Sequence, residues 1–195
     1  MEGSPPWIHS SSIIDEGTTI GNDTKIWHFS HIMENVSIGS KCILGQNIMI
    51  GRDVKIGSGC KIQNNVSIYS GVILEDNVFC GPSCVFTNVI NPRAHVDRKE
   101  EFQKTTVRHG ATIGANATIL CGIEIGRFSF IGAGSVVTSS VKPHALMMGN
   151  PARQVGWVGE SGETLDEELV CPSTGQKYTL DIENGLKREF ENNGD

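Results

Sequence analysis

Ile38-Gly39-Ser40-Lys41-Cys42-Ile43-Leu44-Gly45-Gln46-Asn47-Ile48-Met49-Ile50-Gly51-Arg52-Asp53-Val54-Lys55-Ile56-Gly57 is the stretch from which the fold is read. An aliphatic residue followed by glycine returns at every sixth position, at Ile38, Leu44, Ile50 and Ile56. A small or apolar side chain stands two residues before it, as at Val36, Cys42 and Val54. Followed outward, the same beat begins at Ile8 and runs through Ile14, Ile20, Ile26 and Ile32, then through Ile62, Ile68, Leu74, Cys80 and Phe86.

A period of six is neither the 3.6 of a helix nor the alternation of a lone strand. Short β-branched segments separated by Gly, Asn, Asp and Ser describe a coil of parallel strands that turns one aliphatic inward on each face. Each coil buries its interior by stacking on the next, so stability is spread along the stack. The glycines are expected to supply positive φ at the corners. Cys42, Cys60 and Cys84 fall at inward positions and act as small core residues. The six cysteines form no tandem pair or Cys/His grouping of zinc-site type, and disulfides are not required.

The beat stops after Phe86 and resumes at Val107, continuing through Ile113-Gly114, Ile119, Ile125-Gly126, Ile131-Gly132 and Val137. The step from Phe86 to Val107 is 21 residues, which adds 15 to one repeat. This loop insertion, residues 88–106, carries Asn88, Asn91, Pro92, Arg93 and His95. A loop that interrupts a repeat without ending it marks a place of function. The reading divides the chain into a β-helix over residues 1–155 and an extension over 156–195. In the extension, Gly156 to Gly162 reads as a linker, and Val170 to Leu180 as two short strands around a turn that cover an end or flank of the helix. The tail from Glu189 to Asp195 is expected to be frayed.

Net charge is -6 over 195 residues, with 19% charged and 38% hydrophobic. That balance offers no broad attraction to nucleic acid or anionic lipid, so an anionic ligand must be met by local cations. No apolar run approaches a membrane span and Met1 to Pro6 lacks signal-peptide character, which places the chain in the cytoplasm.

The repeat over Ile8 to Val141 resembles the hexapeptide-repeat acyltransferases, whose fold is an all-β, left-handed parallel β-helix with three hexapeptides per coil. The resemblance implies between six and seven coils here, and a homotrimer with active sites between subunits. The series Ala133-Gly134-Ser135-Val136-Val137, Val141-Lys142-Pro143 and Gly149-Asn150-Pro151-Ala152-Arg153 is similar to the coenzyme A end of that family. It implies acetyl-CoA as co-substrate. Gly132, Ala133, Gly134 and Ser135 would let the pantetheine lie along the coils, with Lys142 and Arg153 for its phosphates and Pro151 in the exit turn. No metal is expected.

Gln46-Asn47, Ile62-Gln63-Asn64-Asn65-Val66, Glu75-Asp76-Asn77-Val78-Phe79-Cys80-Gly81-Pro82 and Phe86-Thr87-Asn88-Val89-Ile90-Asn91-Pro92-Arg93 resemble a narrower group. Its members acetylate the 3-amino group of UDP-2-acetamido-3-amino-2,3-dideoxy-glucuronate for surface polysaccharide. The resemblance extends to Pro151-Ala152-Arg153-Gln154-Val155-Gly156-Trp157 and to Cys171-Pro172 with Thr174-Gly175 and Tyr178.

A neutral amine already attacks a thioester, so the enzyme has to hold the partners, stabilise an oxyanion and dispose of a proton. Many O-acetyltransferases of this architecture carry a histidine after the break. Asn88 stands there instead, and an amide can orient an amine. Arg93 is the candidate for the uronate carboxylate or pyrophosphate, with Lys61 second. Glu75 is assigned to a sugar hydroxyl or charged amine, Tyr69 to the uracil, and Asn64, Gln46 and His28 to the UDP-amino sugar. Each has a structural alternative: corner amides close turns, and His28 and His31 can be hydrogen-bonded corner residues. Three other readings stand beside this one: an O-acetyltransferase with His95 as base, a carbonic-anhydrase-like metalloenzyme for which His28 and His31 have the wrong spacing, and a passive scaffold.

Overall fold

The computed structural model describes residues 3–181 and 185–189. Its strands, most of them two residues long, stack into three sheets that wrap one core. The first face holds Trp7–Ile8, Lys25–Ile26, Ile43–Leu44, Lys61–Ile62, Phe79–Cys80, Thr112–Ile113, Phe130–Ile131 and Ala145–Met148, all parallel. The second and third faces are sheets of seven and six strands. The architecture is the left-handed parallel β-helix of hexapeptide repeats.

Register follows directly from the repeat. Lys25 pairs with Ile43 and Ile43 with Lys61, whereas Phe79 pairs with Thr112 across the insertion. Three hexapeptides separate ordinary partners, and the 15 added residues loop out without disturbing the stack. Inside, the aliphatic column is fully buried from Ile26 to Ile131, and Phe86 is its largest member. Ile8, Ile14 and Ile20 keep partial exposure because few coils or none lie above them to close the end. Cys42, Cys60, Cys80 and Cys84 are buried free thiols, and the hydrogen bond with Cys84, with burial second, pushes the Cys80 thiol up.

One expectation about the glycines is overturned. The residues with positive φ stand three after each aliphatic and are mostly not glycine: Asp23, Phe29, Asn35, Lys41, Asn47, Asp53, Asn65, Asn77 and Ser83 alternate with Gly17, Gly59 and Gly71. Glycine directly after the aliphatic has ordinary φ and serves another need. A Cβ on Gly81 would lie 2.6 Å from the backbone nitrogen of Ala115, and one on Gly39 2.6 Å from that of Ser58. At these two corners the backbone of the next coil lies so close that even a Cβ does not fit.

After Met148 the chain reverses, and Arg153–Trp157 pairs antiparallel with Ala145–Met148. Gly156 is therefore in a strand rather than a linker, because the last parallel strand leaves an open edge to be paired. Beyond it, Val158 bridges Thr164 and Val170 bridges Lys177. The hairpin lies later than the sequence implies, at Tyr178–Asp181 with Gly185–Arg188. Leu165, Cys171, Tyr178 and Leu186 form a small core of their own against Trp157. His144 joins this unit to the final coil: it donates from Nδ1 to Val158 O at 2.9 Å, and its ring lies between Phe128 and Tyr178. Residues 190–195 of the tail lie outside the described residues. Among the described residues no helix is long and apolar enough to cross a membrane.

Candidate functional site

Because the coil is triangular, every outward residue falls on a face or on one of three edges, and the spacing of 18 assigns each candidate its column. On the edge between the first and second faces, the carbonyl oxygens of His28, Gln46, Asn64, Pro82 and Ala115 accept the N–H of Asn47, Asn65, Ser83, Asn116 and Gly134 in turn. His28, Gln46, Asn64 and Ala133 thus share one column, with Gly132 and Gly134 flanking the last. Asn64 and Ala133 stand three rungs apart, about 14 Å at the usual strand spacing.

The lower end of this edge is a shelf of small residues. Ala133 and Gly134 are exposed, and a Cβ at Gly134 would meet nothing within 4 Å. Ser135 is buried, and its Oγ accepts Gly149 N–H at 3.1 Å. That bond, with Val136 N–H to Gly149 O and Ala152 N–H to Val136 O, seats the turn holding Pro151 beside the shelf. Arg153 follows, its guanidinium bonded to Ala152 O at 2.9 Å. An open shelf bounded by a cation fits a long anionic carrier. Lys142 is elsewhere, on the edge between the third and first faces.

At the upper end, Gln46 and Asn64 line a cavity of about 300 Å³ with Trp27, Ile43, Gly45, Ile62 and Gln63. Asn64 Oδ1 accepts Gln46 N–H at 2.9 Å, so one half of this amide fastens coils together. His28 stacks on His9 with ring centroids 3.4 Å apart, and its Nδ1 is buried without a partner. Asn47 and Asn65 have turn-closing positive φ and bond to each other at 3.0 Å.

Tyr69 and Asn88 lie on the edge between the second and third faces, where the insertion leaves the helix. Asn88 O accepts Gln103 N–H at 2.8 Å, pinning the two ends of the loop. The loop is further tied by a bridge between Arg93 and Val96 and by Arg98 with Glu101. Arg93 is exposed, with Nη1 3.4 Å from Pro92 O, and His95 is exposed on the same loop. Ile90 stands 75% exposed nearby.

Glu75 occupies the third edge and is already engaged. Arg108 donates to Glu75 Oε1 at 2.7 Å and to Glu124 Oε2 at 2.6 Å, while His109 N–H meets Glu75 Oε2 at 2.9 Å. Partial burial pushes the Glu75 carboxyl up, but the Arg108 guanidinium and the His109 N–H outweigh it and hold the group below the ordinary carboxylate range. Arg108 was not singled out in the sequence, although adding 33 to 75 across the insertion finds it. Trp27 has no role in the sequence reading and Gln63 only a place in its motif, and a step of 18 from Gly45 in either direction reaches each.

The candidates therefore occupy three different edges of one prism. Among the described residues no group of three or more His, Cys, Asp or Glu could hold a metal ion.

A family model described as bacterial transferase hexapeptide (six repeats) matches residues 17–52, 29–68 and 104–139. The chain is 48% identical over 175 residues to dTDP-3-amino-3,6-dideoxy-alpha-D-galactopyranose 3-N-acetyltransferase of Aneurinibacillus thermoaerophilus, spanning 88% of this chain and 90% of that one. Two solved structures share the fold. A hexapeptide transferase family protein from Anaplasma phagocytophilum superposes with TM-score 0.56 at 20% identity, over 80% of this chain and 81% of that one. AntD, an N-acyltransferase from Bacillus cereus in complex with dTDP and 3-hydroxybutyryl-CoA, does so with TM-score 0.53 at 18% identity, over 82% and 83%.

Proposed function

The chain belongs to the bacterial hexapeptide-repeat transferases, and from that premise we propose that it is an acetyl-CoA-dependent N-acetyltransferase of a nucleotide-linked amino sugar. The observation that carries this reading is near full-length identity of 48% to an enzyme acting on a sugar 3-amino group. The shared column of Gln46, Asn64 and Ala133 supports it, since one edge then offers an amide-lined cavity and a small-residue shelf about 14 Å apart.

In the proposed reaction the neutral 3-amine attacks the thioester carbonyl, the C–S bond breaks as the C–N bond forms, and the amine proton passes to the departing thiolate. The products are the N-acetyl sugar and free coenzyme A. Asn88 orients the amine through its amide, a task that needs no base. Gly132 to Ser135 and Arg153 hold the carrier. Candidates on three edges suit a homotrimer, in which the Asn88 and Arg93 loop of one copy faces the Gln46 edge of another.

The finer proposal for the acceptor is UDP-2-acetamido-3-amino-2,3-dideoxy-glucuronate, with Arg93 and Lys61 meeting its anionic groups. Thiol release from acetyl-CoA, measured against UDP- and dTDP-linked 3-amino sugars with and without a C6 carboxylate, tests both levels. Turnover confined to UDP-linked uronates is expected. Turnover confined to 6-deoxy sugars would overturn the uronate and the role of Arg93, and no turnover on any amino sugar would overturn the activity.

A further inference from the structure

The cavity at the upper end of the shared edge has a shape that the repeat itself produces. Trp27, Gly45 and Gln63 occupy one column, each in the coil next to the last, and Gly45 is the member without a side chain. The result is a notch floored by Gly45 and by Asn64 Oδ1, which lies where a Gly45 side chain would begin, and walled by an indole on one side and an amide on the other. The walls rise from coils about 9.5 Å apart, which admits one flat ring stacked on the indole with the Gln63 amide reaching its edge. Trp27 is 40% exposed, with Trp7 edge-on to it at 5.2 Å between ring centroids from the coil on its other side. Among the described residues the side-chain amides of Gln46 and Gln63 make no hydrogen bond, and each offers a donor and an acceptor.

Two residues before this column runs a second one, Lys25, Ile43 and Lys61, on the flat of the first face. Its cations stand on the same two coils as Trp27 and Gln63, above and below the apolar Ile43. The outward column of that face, from Trp7 to Phe130, contains no carboxylate. On a chain of net charge -6 this is a local reversal of sign.

We propose that the notch binds the nucleoside diphosphate of the acceptor, with a uracil or thymine ring stacked on Trp27 rather than on Tyr69, which stands on another edge, its imide edge toward Gln46 and Gln63, and the diphosphate across Ile43 between Lys25 and Lys61. The imide edge of these bases alternates acceptor, donor and acceptor, and the amides of Gln46 and Gln63 match it. The assignment rests on the sugar-nucleotide reading above and names which residues select the nucleotide.

The test is calorimetric binding of UDP, dTDP, GDP and ADP to the full chain, without acetyl-CoA. Trp27→Ala and Gln63→Leu are each expected to weaken UDP or dTDP about tenfold or more, as stacking and buried hydrogen bonds are worth. Lys61→Ala should weaken the diphosphate and reduce the salt dependence, while acetyl-CoA affinity stays at the wild-type value in all three. Wild-type affinity for UDP and dTDP in both Trp27→Ala and Gln63→Leu would overturn the site, as would preference for GDP or ADP. The activity reading fails differently: the wild type would bind the nucleotide at the notch yet release no thiol with any amino-sugar nucleotide.

Discussion

Replacing Gly81 by alanine probes what the repeat glycine is for. Its Cβ would stand 2.6 Å from Ala115 N, 2.8 Å from Gly114 C and 2.9 Å from Ile113 O, all backbone atoms of the next coil. Ordinary carbon contacts need roughly 3.5 Å, so the coils must part locally by nearly 1 Å. That stretches the hydrogen bond from Gly81 N–H to Ile113 O, now 2.7 Å, to the edge of bonding. Overpacking of this kind costs about 1–3 kcal/mol and a weakened backbone bond about 1 more, giving about 3 kcal/mol. For a chain of this size that is a fall in Tm of roughly 6–12 °C. Gly134→Ala is the matched control: φ is +70° but nothing lies within 4 Å. It meets only the left-handed backbone cost, about 1–2 kcal/mol, or roughly 2–8 °C. Thermal melts of both variants followed by circular dichroism decide the matter. A Gly81→Ala protein melting within about 2 °C of wild type would refute close coil approach as the reason for glycine.

Asn88→Ala should leave the melt unchanged and lower kcat by about 10²-fold or more, the usual loss on removing a polar group that acts at the transition state; near-normal turnover would sink its assignment. Desolvation holds His144 below the usual histidine range, against a smaller upward pull from its bond to Val158 O. A group whose folded pKa is depressed contributes stability above its unfolded pKa, about 6.5, and loses it as pH falls toward the folded value. Trp157 fluorescence should therefore report loosening of the C-terminal unit as pH falls below about 6.5, absent in His144→Phe. Glu75 is depressed too, so its pairing with Arg108 stabilises above about pH 4.3 and fades as pH falls through the folded pKa. Melts of Glu75→Gln should fall short of wild type at pH 7 and converge with it once the pH lies below the folded pKa.

Much of the helix was legible because a six-residue period turns one aliphatic inward on each face of a coil, while the hand of the coil came from the family resemblance and not from the spacing. The inward column, the buried cysteines and the 15-residue offset are all countable from Ile8 to Val137. The reason for the glycines was not, since close approach between coils is a contact of residues 18 or 33 apart, and a sequence pattern does not say which atoms meet. The extension was read least well. It has no period, and pairing of Arg153–Trp157 depends on the free edge of Ala145–Met148 rather than on its own composition.

The candidate residues divide along the same line. Sequence alone determined that the chain coils, where the coil is interrupted, and which residue types stand at its corners. Which of those side chains meet, and through which atoms, was decided only by the stacked structure, because counting by 18 with the shift of the insertion gives a column and not a contact. Glu75 is thereby set beside Arg108, while Gln46, Asn64 and Ala133 fall on one edge with Trp27 and Gln63 around them. Side chains far apart in the chain become one surface when their coils touch, and that contact is a property of the fold.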